Sequence, residues 1–510
     1  MNYSLLLPEL LVAALGLGVL LADLWIAPEH RRKLGLAAAA GLFLVFLVGL
    51  RDAVDGYAGE ALYAFAAPGS RNGMYVLDTL AVFFKEFFLL AGIVVLLMAV
   101  EFSDRFASGV SEFYALVIFA LLGMMFAASA NDFILLFASL ELITITFVVL
   151  NSFQRSRTAS IEAGVKYLIL GALASAFMVF GIALVFGSAN TTNFSQIQHA
   201  QAALVGNPVF LVGLALVVAG LLFKIAAVPF QLWAPDVYQG SPAPATAFLA
   251  VGSKAAGIVL LLRLLFVVVP HVTVQWSHLL VWIAGLTILY GSLCAIPQRS
   301  LKRLMGYSSI ANAGYLLLGF ASLSKAGAVG VLYYLGGYLF TVLAAFTVVC
   351  VVLRHTDSDD LSSLSGLGQR SPLLAGVLTL SMASLAGIPP LAGFFGKFLL
   401  LKSIVTHEGS ASAMLGASAP GYYCLLAVAV FGVVVSLYYY FGVVRAIYWG
   451  GHATDLSPIG TSWPVRVALA MCVAGMFWLG VWPNHLVQLA TPAVEVLKPE
   501  APAAWHQGGH

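Results

Sequence analysis

The chain has 510 residues, 61% of them hydrophobic and only 9% charged, whereas a soluble protein of ordinary composition carries about 25% charged residues. Its formal net charge of +2 comes from basic residues scattered through short loops, not from the contiguous patch that nucleic-acid phosphates require. The four cysteines, Cys294, Cys350, Cys424 and Cys472, are too far apart for a disulfide framework, a zinc site or an iron–sulfur cluster.

The apolar residues come in long runs and do not alternate, and a run of about 18–25 residues spans a bilayer as a helix but is far too long for a barrel strand. Met1 to Leu5 contains no basic residue, Glu9 interrupts the first run, and Arg31-Arg32-Lys33 follow it. That is the reverse of a cleaved leader, so the first helix is expected to be retained. In chain order the runs predict about fourteen spans, near 4–25, 34–50, 75–100, 112–129, 132–150, 160–187, 208–230, 243–267, 275–295, 301–321, 326–353, 373–405, 423–449 and 464–487. The expected fold class is therefore all-α, a polytopic membrane helical bundle.

Basic residues favour the cytoplasmic side of a membrane. Loops and helix ends after odd-numbered spans hold Arg31, Arg32, Lys33, Arg105, Arg155, Arg157, Arg299, Lys302, Arg303, Arg354, Arg370, Arg445 and Arg466. Those after even-numbered spans hold only Arg51, Arg71, Lys325, Arg263 and Lys402. Odd loops are therefore expected to be cytoplasmic, with both termini on the other side.

Two spans carry breaks. Span seven reads Lys224-Ile-Ala-Ala-Val-Pro229-Phe-Gln-Leu-Trp-Ala-Pro235, and span twelve reads Gly387-Ile-Pro389-Pro390-Leu-Ala-Gly393-Phe-Phe-Gly396-Lys397. Proline removes a helix hydrogen bond and glycine loosens what remains, so each helix is expected to break inside the membrane at Pro229 or at Pro389 and Pro390. Each is the fourth span of a five-span block. The expected organisation is helices one to three (1–111), a first block (112–270), a second, inverted block (271–450), and helix fourteen with a short tail (451–510). Paired broken helices mark the site of many transporters, although proline kinks also occur for packing alone.

A charge at a helix centre costs about 2.5–3.5 kcal/mol on insertion scales. Glu141 lies mid-span in helix five, Lys224 before the first break, Lys254 centrally in helix eight, and Lys397 after the second break. Together they cost on the order of 12 kcal/mol, comparable with a whole protein's stability. A Glu141–lysine salt bridge would explain one pair and leave two lysines without an acid. Desolvation favours the neutral form of an amine, so a lysine buried this way gives up its proton readily, and a row of them forms a proton relay. Weaker signals have plainer readings. Glu162 and Lys166 are spaced to pair with each other. Asp132 and Asp236 read as helix-start or loop residues. Lys85-Glu86, well inside span three, has no account from sequence. The ten histidines all fall in loops, helix ends or tails, which leaves no inward pair for a membrane haem. The expectation is a chain that carries protons and no redox centre.

Several motifs together resemble one family. They are Ser139-Leu-Glu141-Leu-Ile, Lys166-Tyr167, Phe223-Lys224…Val228-Pro229-Phe230…Leu232-Trp233-Ala-Pro235-Asp236, Ser253-Lys254, Lys302-Arg-Leu-Met-Gly306-Tyr307-Ser308-Ser309 and Leu385-Ala-Gly387-Ile-Pro389…Gly-Lys397-Phe398. The match, from about helix four to helix thirteen, is to the antiporter-like subunits of respiratory complex I, the proton-pumping NADH–quinone oxidoreductase. The loop Val237-Tyr238-Gln239-Gly240-Ser-Pro-Ala-Pro244, the start Leu5-Leu-Leu-Pro8-Glu9-Leu and the run Gly336-Gly-Tyr338-Leu-Phe340 are similar to the N-type subunits. A long lateral helix typical of L-type subunits is not expected, and M-type subunits typically carry glutamate where Lys397 stands.

The resemblance implies two inverted five-helix repeats and a central proton path through Glu141, Lys224, Lys254 and Lys397, with Lys166, Gln231 and Tyr307 in support. It also implies no cofactor or metal in this chain, and FMN and iron–sulfur clusters in other subunits. The implied partners are lipid and the neighbouring membrane subunits M and K, with no nucleic acid and no homo-oligomer. One departure stands out: where family members often have histidine, this chain has Gln231, which holds water but takes up no proton at neutral pH. The rival readings are a multi-subunit cation/proton antiporter, a hydrogenase membrane arm, and a quinone-binding or purely structural subunit.

Overall fold

The computed structural model describes residues 3–55, 61–65, 72–356, 358–405, 419–450 and 456–497. The helices in chain order are α1 (Leu7–Asp23), α2 (Arg31–Asp55), α3 (Thr79–Phe102), α4 (Val110–Ala128), α5 (Phe133–Asn151), α6 (Thr158–Ala189), α7 (Phe194–Leu204), α8 (Pro208–Ile225), α9 (Trp233–Gly240), α10 (Ala243–Val268) and α11 (Pro270–Gln275). They continue as α12 (Ser277–Ala295), α13 (Leu301–Ala321), α14 (Lys325–His355), α15 (Leu367–Arg370), α16 (Pro372–Ala386), α17 (Ala392–Val405), α18 (Ala419–Trp449), α19 (Trp463–Val481) and α20 (Pro483–Glu495). Twelve of these are long and apolar enough to cross a membrane. The more polar α13 and the broken α16–α17 supply the other two of the fourteen expected crossings.

Many helix starts are set by local chemistry. Asp132 caps α5 by accepting from Ile134 N at 2.7 Å, as its sequence context suggested. Asn193, Asn207, Ser300 and Ser324 do the same for α7, α8, α13 and α14, satisfying amide groups that would otherwise be orphaned. The most enclosed crossings are α14 and α10, 94% and 89% buried over their apolar windows, whereas α6 is only 28% buried. The centre of the bundle is therefore built on α10, α13 and α14, with α6 at the periphery.

The helix ends sort into two faces. On one, Glu101 at the end of α3 accepts from Arg32 at 3.2 Å, from Arg354 at 2.5 Å and from Ser462, while Arg354 also reaches Asp104 at 2.6 Å. On the other, Lys325 pairs with Glu495 at 2.6 Å, and Asn131 and Asn193 both donate to Gly73 O. Arg32 and Arg354, which follow odd-numbered spans, thus meet on one side. Arg71 and the tail beyond 497 lie outside the described residues, as does the side chain of Arg51.

Three features add to the expected helical bundle. A two-stranded antiparallel hairpin, β1 (Leu62–Ala64) with β2 (Tyr75–Leu77), interrupts the otherwise helical fold. The connection after α6 contains the unforeseen helix α7, held through Asn131 and Asn193. The last span ends at Val481, because Pro483 opens a separate helix, so α20 and not a bare tail follows it. Leu486, Ala490, Ala493 and Val494 bury one face of α20.

Candidate functional site

The two interrupted spans break as their prolines and glycine dictate, and in the same backbone pattern. α8 ends at Ala226 (φ 59°, ψ 44°), whose N–H bonds to Leu222 O and Phe223 O. α16 ends at Gly387 (φ 89°, ψ 44°), whose N–H bonds to Ala383 O and Ser384 O. In each case the next amide reaches back to the first of those carbonyls, Ala227 N to Leu222 O at 2.9 Å and Ile388 N to Ala383 O at 3.0 Å. This is a left-handed helix stop. It leaves carbonyls of the last turn open, inside the membrane, where each needs a donor. At the first break Trp233 Nε1 donates to Phe223 O at 3.0 Å. At the second, Lys397 Nζ donates to Leu385 O at 2.6 Å, a cation at the negative end of a helix dipole. Gly393 is needed there because a Cβ would lie 1.8 Å from Ser384 O.

Lys224, Lys254 and Lys397 are 5%, 2% and 4% exposed, and none has an acidic partner among the described residues. Lys224 Nζ donates to Thr144 Oγ1 at 2.9 Å and Tyr167 OH at 3.3 Å. Glu141, one turn before Thr144 on α5, is half-buried and instead accepts from Ser175 of α6. Lys254 donates to Ser309, through both its backbone carbonyl and its hydroxyl, and sits 5.6 Å from the Tyr338 ring centre. The helix carrying it is widened into an underwound π turn over Leu249–Ser253, directly before the lysine, a distortion common at functional positions. Lys224 and Lys254 are near neighbours: Gly257, one turn along from Lys254, would carry a Cβ 3.4 Å from Lys224 Cβ. Lys397 lies 5.0 Å from the Tyr315 ring centre.

Between Lys254 and Lys397 runs a polar spine that the sequence reading missed. On α13, Ser308, Ser309, Asn312 and Tyr315 share one inward face at helical spacing. Ser309 Oγ contacts Tyr238 OH at 2.8 Å and accepts from Tyr338 OH at 3.2 Å. Asn312 Oδ1 accepts from Tyr334 OH at 2.6 Å, and its amide donates to Ser308 Oγ at 3.3 Å, which meets Tyr440 OH of α18 at 2.5 Å. The available signal was small polar residues at i, i+1, i+4 and i+7 in a membrane span. Tyr307, singled out from that motif, points elsewhere: it is half-buried, 5.9 Å from the Arg303 guanidinium and 6.2 Å from the Tyr290 ring.

Beyond the first break, a charged cluster fills the end of the bundle that holds the basic loops. Lys166 pairs with Glu162 at 2.6 Å, as its spacing suggested, and also with Asp236 at 2.6 Å, while Asp236 binds Arg303 at 2.6 Å. Asp236 is therefore not the bland loop or capping residue expected. It ties α9 to α6 and α13, and those two cations hold its carboxyl below the usual carboxylate range against partial burial. A cavity of about 210 Å³ opens beside it, lined by Arg157, Lys302 and Asp359 among others. Gln231 is 5% exposed at the break, and its carbonyl oxygen has no hydrogen-bond partner among the described residues.

Two discontinuous helices around a row of buried lysines define an antiporter-like membrane subunit. The sequence profile of the NADH:quinone oxidoreductase/Mrp antiporter transmembrane family matches residues 130–420, and the chain belongs to that family, in its N-type group. It is 39% identical to NADH-quinone oxidoreductase subunit N of Moorella thermoacetica, over 96% of this chain and 98% of that one. It is 34% identical to the F(420)H(2) dehydrogenase subunit N of Methanosarcina mazei, over 97% and 99%. A chain of the respiratory complex I of Thermus thermophilus has the same fold, with 30% identity, a TM-score of 0.74, and coverage of 95% and 99%.

Proposed function

We propose that this chain is a proton-translocating membrane subunit of an NADH–quinone oxidoreductase, and that Glu141, Lys224, Lys254 and Lys397 form its relay. The observation that carries the reading is three buried lysines with no acidic partner among the described residues, the last two separated by the polar face of α13. In the resting arrangement Lys224 rests on Thr144 and Tyr167. A turn of its long side chain towards Glu141 would hold it charged, and withdrawal would release the proton along buried water towards Lys254 and then Lys397. The open carbonyls of the two breaks supply polar backbone along that route.

Residues 112–270 and 271–450 act in this reading as inverted repeats, flanked by 1–111 and 451–510, and the matching hydrogen bonds of the two breaks support the correspondence. Lys166 with Asp236, and Gln231, border the path. Moving one proton against about 150–200 mV takes about 3.5–4.6 kcal/mol. That energy comes from redox chemistry in other subunits, which hold the FMN and iron–sulfur clusters. Subunits M and K are the proposed neighbours, in a bacterial inner membrane with both termini periplasmic.

The test is NADH-driven proton uptake into vesicles, normalised to assembled complex. Glu141→Gln and Lys224→Ala are expected to depress uptake without loss of assembly, and wild-type uptake in both would discard the relay. Cysteines introduced as Ser4→Cys and Gln298→Cys are expected to label from opposite sides of sealed cells; labelling from the same side would end the proposed topology.

A further inference from the structure

The helix that contributes Tyr440 to the inner spine has a second, outward face with no role in the relay. Tyr438, Phe441, Gly442, Arg445 and Trp449 of α18 fall on one stripe at i, i+3, i+4, i+7 and i+11. They line a groove of about 870 Å³, whose other walls come from the ends of α12 and α13 and from Leu361. Tyr438 and Trp449, 71% and 75% exposed, stand eleven residues apart, or about 16 Å along the helix. One leaflet of hydrocarbon is half of about 30 Å, so the groove runs the depth of a leaflet. Its shallow end carries Trp449, a residue type that seeks the headgroup level, and Arg445 lies one turn deeper, within snorkelling reach of that level.

The charge in the groove is one-sided. Its polar side chains besides tyrosine are Arg445 and Gln298, the latter tied by its amide nitrogen to Cys294 O at 2.7 Å. Among the described residues no carboxylate lines it. An apolar trough of leaflet length with a lone cation at its headgroup end matches one acyl chain below an anionic head.

We propose that this groove, between α18 and the ends of α12 and α13, is a binding site for a single anionic phospholipid of the leaflet that faces Arg299 to Arg303. The acyl chain lies along Tyr438 to Gly442, and the phosphate-bearing head sits at Arg445 beside Trp449. The site stands apart from the lysine relay, so it holds or fails independently of the proton-pumping reading.

The experiment uses the whole detergent-purified complex, delipidated and back-titrated with phosphatidylglycerol or phosphatidylethanolamine, with retained lipid read by native mass spectrometry. Two variants test the two ends of the site. Arg445→Gln removes the charge. Gly442→Leu fills the trough, and a Cβ there meets nothing within 4 Å, so the bundle itself is undisturbed. Wild type is expected to retain one phosphatidylglycerol more than Gly442→Leu. Arg445→Gln is expected to hold it about fivefold more weakly, the factor one basic residue contributes towards an anionic lipid surface. Equal retention in all three proteins would overturn the proposal, and so would equal retention of the two lipids by wild type. A photo-crosslinker at position 442 distinguishes the remaining occupant: capture of a neighbouring protein subunit instead of lipid would also overturn it.

Discussion

Two groups of buried cations in this bundle contrast, one paired with carboxylates and one with no such partner among the described residues. Near the hairpin end, Arg263 makes two hydrogen bonds to Asp78, at 2.8 and 2.7 Å, and two more to Ala128 O. Lys85, which the sequence alone left without an account, pairs with Glu9 at 2.7 Å and donates to Tyr75 OH at 2.6 Å. In the central row, among the described residues, Lys224, Lys254 and Lys397 rest on hydroxyls, carbonyls and aromatic rings. A buried pair with full hydrogen bonding is costly to break because the survivor is left charged in lipid. A lysine on neutral partners can lose its proton and keep most of its contacts. The first setting suits fixing helices, and the second suits the proton relay proposed above.

The comparison is tested most severely by Asp78→Ala. It strands the Arg263 guanidinium, a loss worth about 3–5 kcal/mol for a broken buried pair, and is expected to remove the assembled subunit from membranes altogether. Normal assembly and pumping in Asp78→Ala would show that the paired layer is not structural. Lys224→Arg is next. Arginine keeps its charge and its donors but does not hand on a proton, so pumping is expected to fall at least about tenfold, a barrier increase of about 1.4 kcal/mol, with the complex still assembled. A plain salt-bridge role predicts the opposite, since arginine would preserve a contact with Glu141; wild-type uptake in Lys224→Arg would favour that reading. Lys397→Met leaves Leu385 O without its donor but removes no ion pair. It is expected to slow uptake less than Lys224→Arg does, and a collapse of complex stability would move Lys397 into the paired, structural class.

The breaks and the lysines were legible in the sequence because proline, glycine and intramembrane charge are costly and therefore conspicuous. Asp236 was not. A carboxylate at a loop edge looks the same whether it caps a helix or clamps three, and its partners Lys166 and Arg303 are 70 and 67 residues away. The Glu9–Lys85 pair hid for the same reason, since 76 positions separate two residues that only the folded bundle brings to 2.7 Å. Hydroxyl groups were hidden differently: serine and tyrosine are common in membrane helices, so only a known rotation of α13 says which of them face inward.

That rotation gives the smallest expected effect and the finest distinction. Residues two apart on a helix differ by about 200° in direction, so Tyr307 and Ser309 of the same motif face different surroundings. Ser309→Ala removes a hydroxyl shared by Lys254, Tyr238 and Tyr338 but leaves the backbone carbonyl that also holds the lysine. The loss is about one hydrogen bond to a charged group, of order 1.5 kcal/mol, so uptake is expected to fall by roughly tenfold at most, and by less where a water takes the vacated place. Tyr307→Phe removes a hydroxyl beside Arg303 and outside the spine, and uptake is expected to stay at the wild-type rate. Measured side by side in NADH-driven vesicles, the pair asks whether protons follow the inward face of α13. A defect in Tyr307→Phe with none in Ser309→Ala would put the path on the Arg303 side, through the charged cluster, and would take the spine out of the relay.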